Sequence, residues 1–527
     1  MCLIGIARKR RYKRELFRAC IQARIQIAAL GVALVLSATG PAFGQLLPTA
    51  TPDFKRGKEL SQKYCAGCHI YPEPDLLDRE TWKNGTMPFL RSRLGIDRFS
   101  ASNPDQKVVL EEWDLVWKYY FDAAPDKPLP PPPRAKIHPR LKQFAVVNPN
   151  YRPGRRFVTL TQIDPKARQI YVGNAEAKTL DVLDGNGRML SSAALESPPV
   201  SLAHRSNGWF CTLVGRVPPH DQRLGKVVLL DKSGATFAKR ADVLADLARP
   251  TDCAFGDLNG DGREDFVVSG FGNITGDLTL YENRGDGKYS PMLIYDRPGA
   301  IRSELHDFNQ DGRLDIIVLM AQAREGIFLL LNEGGGRFTE WPVMEQHPVW
   351  GYSGLQLIDF NHDGLPDILT TNGDNGEYPS CLKNYHGVRL YLCDKHNKFD
   401  EVFFYPLNGA FKAIAADFDQ DGDLDIAAIS YFPDYEHSPE ESFVYLENRG
   451  GLKFDAFSFP ESAMGRWLVM DAGDADGDGD IDLVLGAANR TPYKVSPTLY
   501  EKWNKEGPSL LLLKNNLKQG GSDTAKQ

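Results

Sequence analysis

The chain has 527 residues, of which 42% are hydrophobic and 25% are charged, a composition that is ordinary for soluble globular proteins. This length predicts about two to four domains. The formal net charge is −7. Because residues 1–44 hold eight Lys/Arg and one Glu, the rest of the chain carries −14. Such an acidic body argues against a nucleic acid as the partner.

Residues 1–44 have the organisation of an export signal. Basic residues precede an apolar run from Ile25 to Leu36, and Ala42 and Gly44 then place small side chains where a signal peptidase needs them. We therefore predict cleavage before Gln45 and a periplasmic or extracellular mature protein. The alternative is a retained anchor, although the run is shorter than the ~20 residues that a bilayer span requires. We expect no membrane span after cleavage.

The clearest chemical motif of the mature chain is C-A-G-C-H at residues 65–69. Two thiols on one helical turn can form thioethers with two haem vinyl groups, and the adjoining histidine can bind the iron. A thioredoxin-like site would need a βαβ context. A zinc half-site would need a second Cys/His pair nearby, whereas the next cysteine is Cys211. The motif predicts one covalent haem c held by Cys65, Cys68 and His69.

The segments on both sides of this motif are predicted to be helical. One helix leads into it from Phe54 to Tyr64, and another begins at Asn103-Pro104, an N-cap followed by proline in the first turn. Apolar residues then recur at helical spacing. This plan resembles class I cytochromes c, in which the first and last helices cross beside the haem. The resemblance covers about residues 50–124.

The same resemblance implies a methionine as the distal iron ligand, on the loop between the helices. Met87 is the one methionine in this region of the sequence, and Pro88 follows it. The alternative interpretation of Met87 is an ordinary core residue, and His138 is a weaker candidate ligand. Either Pro72 or Pro74 could offer a backbone carbonyl to the ring N–H of His69.

Residues 125–142 are rich in proline and predict a stiff polyproline spacer. This spacer would separate a cytochrome c domain at residues 45–124 from the second domain. Because it is short, we expect the first domain to be held near one face of the second.

Five segments of the second domain share the nine-residue pattern D-x-[DN]-x-D-G-x-x-D. Their first positions are 50, 52, 58 and 57 residues apart, a repeat of propeller-blade length. Calcium prefers six to eight oxygen ligands, and the glycine permits the sharp turn that brings the side chains together. An EF-hand would need a glutamate at position 12 and flanking helices, whereas apolar β-rich segments follow here. Acidic turns without metal would be the better interpretation of a single copy, but not of five.

We therefore predict about five Ca²⁺ ions, and we name the segments acidic loops 1 to 5. The predicted side-chain ligands are Asp257, Asn259, Asp261 and Asp265 in loop 1; Asp307, Asn309, Asp311 and Asp315 in loop 2; Asp359, Asn361, Asp363 and Asp367 in loop 3; Asp417, Asp419, Asp421 and Asp425 in loop 4; Asp474, Asp476, Asp478 and Asp482 in loop 5.

Each acidic loop is followed by a strand, an Asn/Gly turn and an aromatic residue, which predicts a β-hairpin. Two earlier units, around Val182 and Val228, have similar hairpins without an acidic loop. The pattern resembles the FG-GAP/VCBS repeat family, whose fold is the seven-bladed propeller of integrin α chains. The resemblance covers about residues 145–517.

The predicted protein is multidomain, with a small all-α cytochrome c domain followed by an all-β seven-bladed propeller at residues 143–517. Residues 518–527 are predicted to be a disordered tail. Because the compartment is oxidising, we also expect a disulfide between Cys381 and Cys393. Cys211 and Cys253 could form another disulfide between adjacent blades, or could remain buried thiols.

Three classes of function are compatible with this organisation. The first is an electron-transfer protein whose propeller docks an unknown redox partner or ligand, and we favour it because haem is the one redox group that the motifs demand. The second is an oxidoreductase whose propeller binds a substrate or a quinone and passes electrons to the haem. The third is an adhesion or binding protein. No motif identifies a catalytic side chain.

Overall fold

The computed structural model describes residues 51–67, 69–151, 157–322, 324–376, 381–489 and 495–517. The predicted signal peptide, Cys68 and the predicted tail at residues 518–527 lie outside these ranges. Within them, a helical region is followed by seven antiparallel sheets arranged as a β-propeller. The prediction of an all-β, seven-bladed propeller is confirmed.

The helices of the first region begin where the sequence provides caps. Thr51 Oγ1 accepts a hydrogen bond from the Phe54 N–H at 3.3 Å, and Asn103 Oδ1 accepts from Asp105 N–H at 3.1 Å. A π-helical turn, Trp82–Thr86, joins two short helices between them. The helices are α1 (Pro52–Cys65), α2 (Arg79–Thr81), α3 (Met87–Arg93) and α4 (Pro104–Ala123), with 3₁₀ turns at Pro74–Leu76 and Ile96–Arg98.

Helices α1 and α4 cross at Gly57, which is buried. A Cβ atom at this position would lie 2.5 Å from the Leu115 carbonyl oxygen and 2.8 Å from the Tyr119 Cβ. The absence of a side chain therefore allows the two backbones to approach closely. Around the crossing, Trp113 and Tyr120 are buried in the core of the helical region.

Replacing Gly57 with valine is expected to destabilise the helical region by about 1–3 kcal/mol, because overpacking forces the helices apart. Amide hydrogen exchange in α1 and α4 measures the effect. The control is Lys58→Val, which adds the same β-branched side chain at the exposed neighbouring position. Equal protection in the two variants would contradict a close crossing at Gly57.

Six propeller blades are sheets of four strands, and blade 6 has a fifth. In chain order the strands of blades 1 to 3 are β3 (Val158–Asp164), β4 (Gln169–Asn174), β5 (Thr179–Asp184), β6 (Met189–Ala194); β7 (Pro199–Arg205), β8 (Gly208–Leu213), β9 (Gly225–Ser233), β10 (Thr236–Leu247); β11 (Pro250–Gly256), β12 (Asp265–Gly270), β13 (Asp277–Asn283), β14 (Tyr289–Tyr295).

Blades 4 to 7 repeat this arrangement. Their strands are β15 (Ala300–His306), β16 (Asp315–Met320), β17 (Glu325–Gly334), β18 (Arg337–Gln346); β19 (Tyr352–Ile358), β20 (Asp367–Asn372), β21 (Gly387–Cys393), β22 (Phe399–Pro406); β23 (Ala410–Ala416), β24 (Asp425–Ser430), β25 (Phe443–Asn448), β26 (Phe454–Phe457); β27 (Trp467–Gly473), β28 (Asp482–Ala487), β29 (Leu510–Asn515). Helix α5 (Pro497–Glu506) and 3₁₀ turns at Pro348–Trp350, Pro439–Ser442 and Pro460–Met464 lie in the connections.

The propeller is closed by strands that precede blade 1 in the chain. Strand β2 (Phe144–Val147) pairs antiparallel with β29 and completes blade 7. Strand β1 (Ile137–His138) pairs parallel with β26 as a fifth strand of blade 6. Pairing β2 with β29 joins the start of the domain to its last blade and closes the ring.

The proline-rich segment is tied to the propeller over its second half. The Arg134 guanidinium donates to the Pro406 carbonyl at 2.6 Å and forms an ion pair with Glu441 at 2.6 Å. Tyr405 donates its hydroxyl to the Ala135 carbonyl at 3.1 Å. The segment predicted to be a stiff spacer therefore lies along blades 5 and 6 from Arg134 onward.

The core lies between the blades. The second strand of each of blades 3 to 7 is buried along its whole length, because neighbouring sheets cover both of its faces. This explains why the residues after each acidic loop are continuously apolar. The predicted hairpins are also confirmed, for example β13 with β14.

The two faces of the propeller carry different features. The acidic loops connect the first and second strands of blades 3 to 7, so they lie on one face. The helical region packs on the other face, against the connection that leads to β19 and the connection that follows β20. Tyr385 donates its hydroxyl to the Leu76 carbonyl at 3.0 Å, and Tyr385 and Val349 belong to the apolar core of the helical region.

The expected disulfide between Cys381 and Cys393 is wrong, since both are free thiols. Cys393 ends β21 and its Sγ is 3.4 Å from the Asp394 carbonyl, whereas Cys381 packs against the helical region on the other face. Proximity in sequence misled the prediction because a whole strand separates them. Cys211 and Cys253 are also free thiols.

Candidate metal loops and a cavity beneath the helical region

The acidic loops are curled by their own carboxylates. In loop 4, Asp417 accepts hydrogen bonds from the Asp421 N–H at 3.1 Å and from the Gly422 N–H at 3.2 Å. Asp419 accepts from the Asp421 N–H at 3.2 Å, and Asp421 from the Asp423 N–H at 2.9 Å. Gly422 has φ +98°, a left-handed conformation that favours glycine. The other four loops have the same turn, with positive φ at Gly262, Gly312, Gly364 and Gly479.

This curl brings the predicted ligands together. One carboxylate oxygen from each of Asp417, Asp419 and Asp421 lies within 4.8 Å of the others. The same holds for Asp474, Asp476 and Asp482 in loop 5. Loops 1 to 3 have asparagine at the third position, which offers an amide oxygen instead. Loops 4 and 5 therefore present clustered carboxylate oxygen atoms, the ligand type that Ca²⁺ prefers, and loops 1 to 3 carry the same turn with an asparagine in place of one aspartate.

The last aspartate of each loop also has a structural role that the motif did not predict. Asp425 is fully buried, and it accepts hydrogen bonds from the N–H groups of Phe418 at 3.3 Å and Asn448 at 2.7 Å and from the Tyr445 hydroxyl at 2.6 Å. It therefore clamps its loop to the third strand of the same blade. The equivalent carboxylates are Asp265, Asp315, Asp367 and Asp482, each accepting two backbone N–H bonds.

The partner of this clamp is an asparagine in four of the five blades. Asn448 donates its backbone N–H to Asp425 and its side-chain Nδ2 to the Leu424 carbonyl at 3.0 Å. In blade 5 the position is Cys393, whose N–H donates to Asp367 at 2.8 Å. The sequence pattern identified this asparagine only as part of the predicted Asn/Gly turn. The other asparagines are Asn283, Asn332 and Asn515.

Burial makes these clamp carboxylates hard to ionise. Desolvation raises the pKa of Asp425 to about 6, and the charge of Asp419 adds to the effect. Desolvation also raises the pKa of Asp482 to about 6. A bound cation would oppose this penalty.

Basic side chains distinguish the loops. Arg263 pairs with Asp261 at 2.5 Å, Arg313 pairs with Asp311, and Lys514 pairs with Asp476 at 2.8 Å. Among the described residues, no basic side chain pairs with the carboxylates of loops 3 and 4. Loop 4 therefore combines four aspartates, none of which is ion-paired with a basic side chain of the described residues.

A second candidate site is a cavity of about 200 Å³ between the helical region and the propeller. Most of its wall is apolar or aromatic, and Cys65 and His69 of the C-A-G-C-H motif line it. The remaining lining residues are Tyr64, Pro72, Leu77, Trp82, Thr86, Leu90, Leu94, Trp113 and His347.

The predicted haem ligands are distributed as follows. Cys65 and His69 meet at the cavity, whereas Cys68 lies outside the described residues. His69 Nδ1 is 2.9 Å from the Ile70 carbonyl. The carbonyls of Pro72 and Pro74 are instead bonded to Tyr120 and Trp82.

The two candidate distal ligands lie elsewhere. Met87 is fully buried in the core of the helical region and does not line the cavity, although the adjacent Thr86 does. His138 lies on β1 at the outer edge of blade 6 and is exposed.

Two polar atoms in the wall of the cavity have no hydrogen-bond partner among the residues that the structure describes. They are the Thr86 hydroxyl and the Trp113 indole Nε1, and both are buried. Leaving a buried donor unpaired costs about 1–3 kcal/mol. A bound group with acceptor atoms would satisfy them.

The propeller contributes one side chain to this cavity that the sequence did not single out. His347, between β18 and β19, lies with its ring centroid 4.4 Å from that of His69 and its ring plane almost perpendicular. Burial lowers the pKa of His347 well below its usual value, and the nearby His69 adds to this shift. Because His69 and His347 are far apart in the sequence, no local sequence pattern predicted this contact.

Comparisons with known proteins concern the propeller. A family model for the FG-GAP-like repeat matches residues 257–318, 307–370 and 417–485. The comparison with curated proteins returns no match. The WD40 domain of Neurospora crassa Pan2 superposes with a TM-score of 0.43 at 11% identity, over 69% of this chain and 99% of that one. For Saccharomyces cerevisiae Sqt1 the TM-score is 0.42 at 8% identity, over 69% of this chain and 97% of that one.

No helix in the described ranges is both long enough and apolar enough to cross a membrane. The matched segments contain acidic loops 1, 2, 3, 4 and 5 and lie within blades 3 to 7. The chain thus carries FG-GAP-like repeats in a seven-bladed β-propeller.

Proposed function

We propose that this protein is an exported electron-transfer protein, in which a haem-binding helical region is joined to a calcium-binding propeller that docks a redox partner or ligand. The observation that carries the proposal is the cavity, because a thiol and an imidazole of one C-x-x-C-H motif line it together. The leader at residues 1–44 supports export, and the acidic loops support calcium binding.

The residues of the cavity fit a haem group. Its apolar and aromatic wall suits a porphyrin ring, and the unpaired Thr86 and Trp113 atoms suit acidic groups at the ring edge. Cys65 and Cys68 would form the thioethers. His69 would bind the iron through Nε2, since its Nδ1 faces the Ile70 carbonyl. Bound haem would supply one-electron exchange.

Met87 is the proposed distal ligand. Thr86, its neighbour in the chain, lines the cavity, and Met87 itself lies in the same apolar core as Trp82 and Trp113 of the wall. Movement of the π-helical turn before it would be needed to present its sulfur to the iron, and such turns often mark functional positions.

Calcium is proposed to bind at all five acidic loops. The clustered oxygen atoms and the left-handed glycines support this assignment. Loop 4 is expected to bind most tightly, because it has four aspartates and, among the described residues, none of them is ion-paired with a basic side chain. Loops 1 and 2 are expected to be weaker, because Arg263 and Arg313 compete for Asp261 and Asp311.

The propeller's partner is proposed to be a basic protein. The chain after residue 44 carries −14, and a charge of this size attracts cationic proteins over distances of about a Debye length. Bound calcium would reduce but not remove the imbalance. The association rate is then expected to fall as ionic strength rises.

A second candidate function is oxidation of a substrate bound in the propeller. It is favoured by a channel of about 650 Å³ along the innermost strands, which is lined by charged side chains. Arg302 and Glu304 pair there at 3.0 Å, and Asp471 accepts the Ile163 N–H at 2.7 Å. Reduction of the haem by a small compound, without a protein partner, would favour this candidate.

Covalent haem is the decisive test of the proposal. After export with cytochrome c maturation, we expect haem to stay on the protein through acid–acetone extraction. Cys65→Ala with Cys68→Ala should abolish this retention, whereas Cys253→Ala, at a free thiol in blade 3, should not. Met87→Ala should remove the near-infrared band of methionine–iron ligation. A wild-type chain without covalent haem would refute the proposal.

A further inference from the structure

His347 is held in one orientation at the cavity. It precedes the 3₁₀ turn Pro348–Trp350, and its Nδ1 accepts a hydrogen bond from the Val349 N–H at 3.1 Å. The side chain is buried, with 6% of its surface exposed. The ring therefore caps the turn with one nitrogen and leaves the other free.

The hydrogen bond to Val349 determines which nitrogen carries the proton. Because Nδ1 acts as an acceptor, it has no hydrogen, and the proton of the ring is on Nε2. Nε2–H makes no hydrogen bond to any residue that the structure describes, although His347 lines the cavity. It is thus a donor without an acceptor beside His69.

The segment that carries His347 is fixed by its surroundings. Trp350 stacks on Tyr385 with ring centroids 4.8 Å apart, and the Tyr385 hydroxyl bonds to the Leu76 carbonyl of the helical region. Gly351 has φ +68°, and a Cβ atom there would lie 2.3 Å from the Asp374 carbonyl oxygen. These contacts hold the histidine against both parts of the chain.

We propose that the propeller completes the haem site by supplying His347, which donates its Nε2–H to the haem group in the cavity and is not an iron ligand. The inference rests on the proposed function. Iron ligation through Nε2 would move the proton to Nδ1 and oppose the Val349 N–H. If Nε2–H instead donates a hydrogen bond to the haem, the hydrogen bond from Val349 N–H to Nδ1 is kept and Nε2–H gains an acceptor.

The proposal predicts how the reduction potential responds to three variants. The positive end of an N–H dipole stabilises the reduced, less positive haem, so its loss lowers the midpoint potential. His347→Leu removes the donor and should lower the potential. His347→Asn keeps a cap for the turn but is too short to reach, and it should lower the potential equally. His347→Gln offers a longer amide donor and should stay near wild type.

Optical redox titration of the exported, full-length protein measures these shifts, with thermal unfolding recorded for each variant. His396→Leu is the matched control, since His396 is exposed in the turn between β21 and β22 on the opposite face. If all variants unfold earlier but keep the wild-type potential, His347 is only structural and the proposal fails. If Gln and Leu both convert the haem to a different spin state, His347 is a ligand and the proposal also fails.

Failure of the underlying function would be visible separately. In that case the wild-type protein would hold no covalent haem after extraction, before any variant is compared. Covalent haem in the wild type with an unchanged potential in His347→Leu would overturn the inference alone.

Discussion

Removal of calcium is expected to lower the stability of the propeller more than any single substitution outside the acidic loops. Loops 4 and 5 gather carboxylates that repel one another unless a cation lies between them. A ligand present at a hundred times its dissociation constant stabilises a protein by about 2.7 kcal/mol per site. With about five sites, chelation should lower the melting temperature of the propeller clearly.

Calorimetry of the protein in excess calcium and after exchange into a chelator measures this shift. Magnesium is the control, because it prefers strict octahedral geometry and retains its waters. The spectrum of the helical region should not change, since that region packs on the opposite face. Equilibrium dialysis that finds one calcium ion or none per chain would contradict the assignment.

One loop can be tested by itself. Asp421→Ala should remove one calcium ion and leave the others, because the ligands of loop 4 come from residues 417–425 alone. Asp423→Ala is the matched control, since Asp423 is exposed in the same loop and is not among the clustered carboxylates. Loss of two or more ions in Asp421→Ala would show that the loops bind calcium cooperatively.

Replacing Asp425 with alanine is expected to destabilise the protein by about 3–5 kcal/mol even without calcium. The change leaves three buried donors unpaired: the Phe418 and Asn448 N–H groups and the Tyr445 hydroxyl. Each unpaired buried group costs about 1–3 kcal/mol. Blade 6 would then lose the link between its acidic loop and its third strand.

Denaturant unfolding in the presence of a chelator separates this effect from calcium binding. Asp425→Asn should be milder, because one oxygen still accepts a hydrogen bond and the buried charge is removed. Asp423→Ala again serves as the control, with an expected change within about 0.5 kcal/mol. If Asp425→Ala is no worse than this control, the clamp has no structural role.

The wrong disulfide prediction and the failure to predict the Asp425–Asn448 clamp have the same physical cause. Cys381 and Cys393 are near in sequence, but β21 carries the chain from one face of the propeller to the other between them. The clamp needs Asn448, which follows Asp425 across a whole strand and its connection. Spacing along the chain does not report which atoms meet once strands have paired.

The sequence by itself determined the structural elements that are stabilised by interactions between residues close together in the chain. The helix cap at Asn103, the curled acidic loops and the hairpins depend on residues within a few positions of one another, so their sequence patterns predicted them directly. The spacing of the five acidic loops, together with the two earlier hairpin units that lack such a loop, then predicted seven blades.

Only the tertiary structure decided the features that join distant segments. The pairing of β2 with β29, the attachment of β1 to blade 6 and the meeting of His69 with His347 bring together residues from opposite parts of the chain. Such contacts form because closing the ring and covering apolar surface lower the free energy of the whole molecule. They leave no periodic signal in the residues that make them.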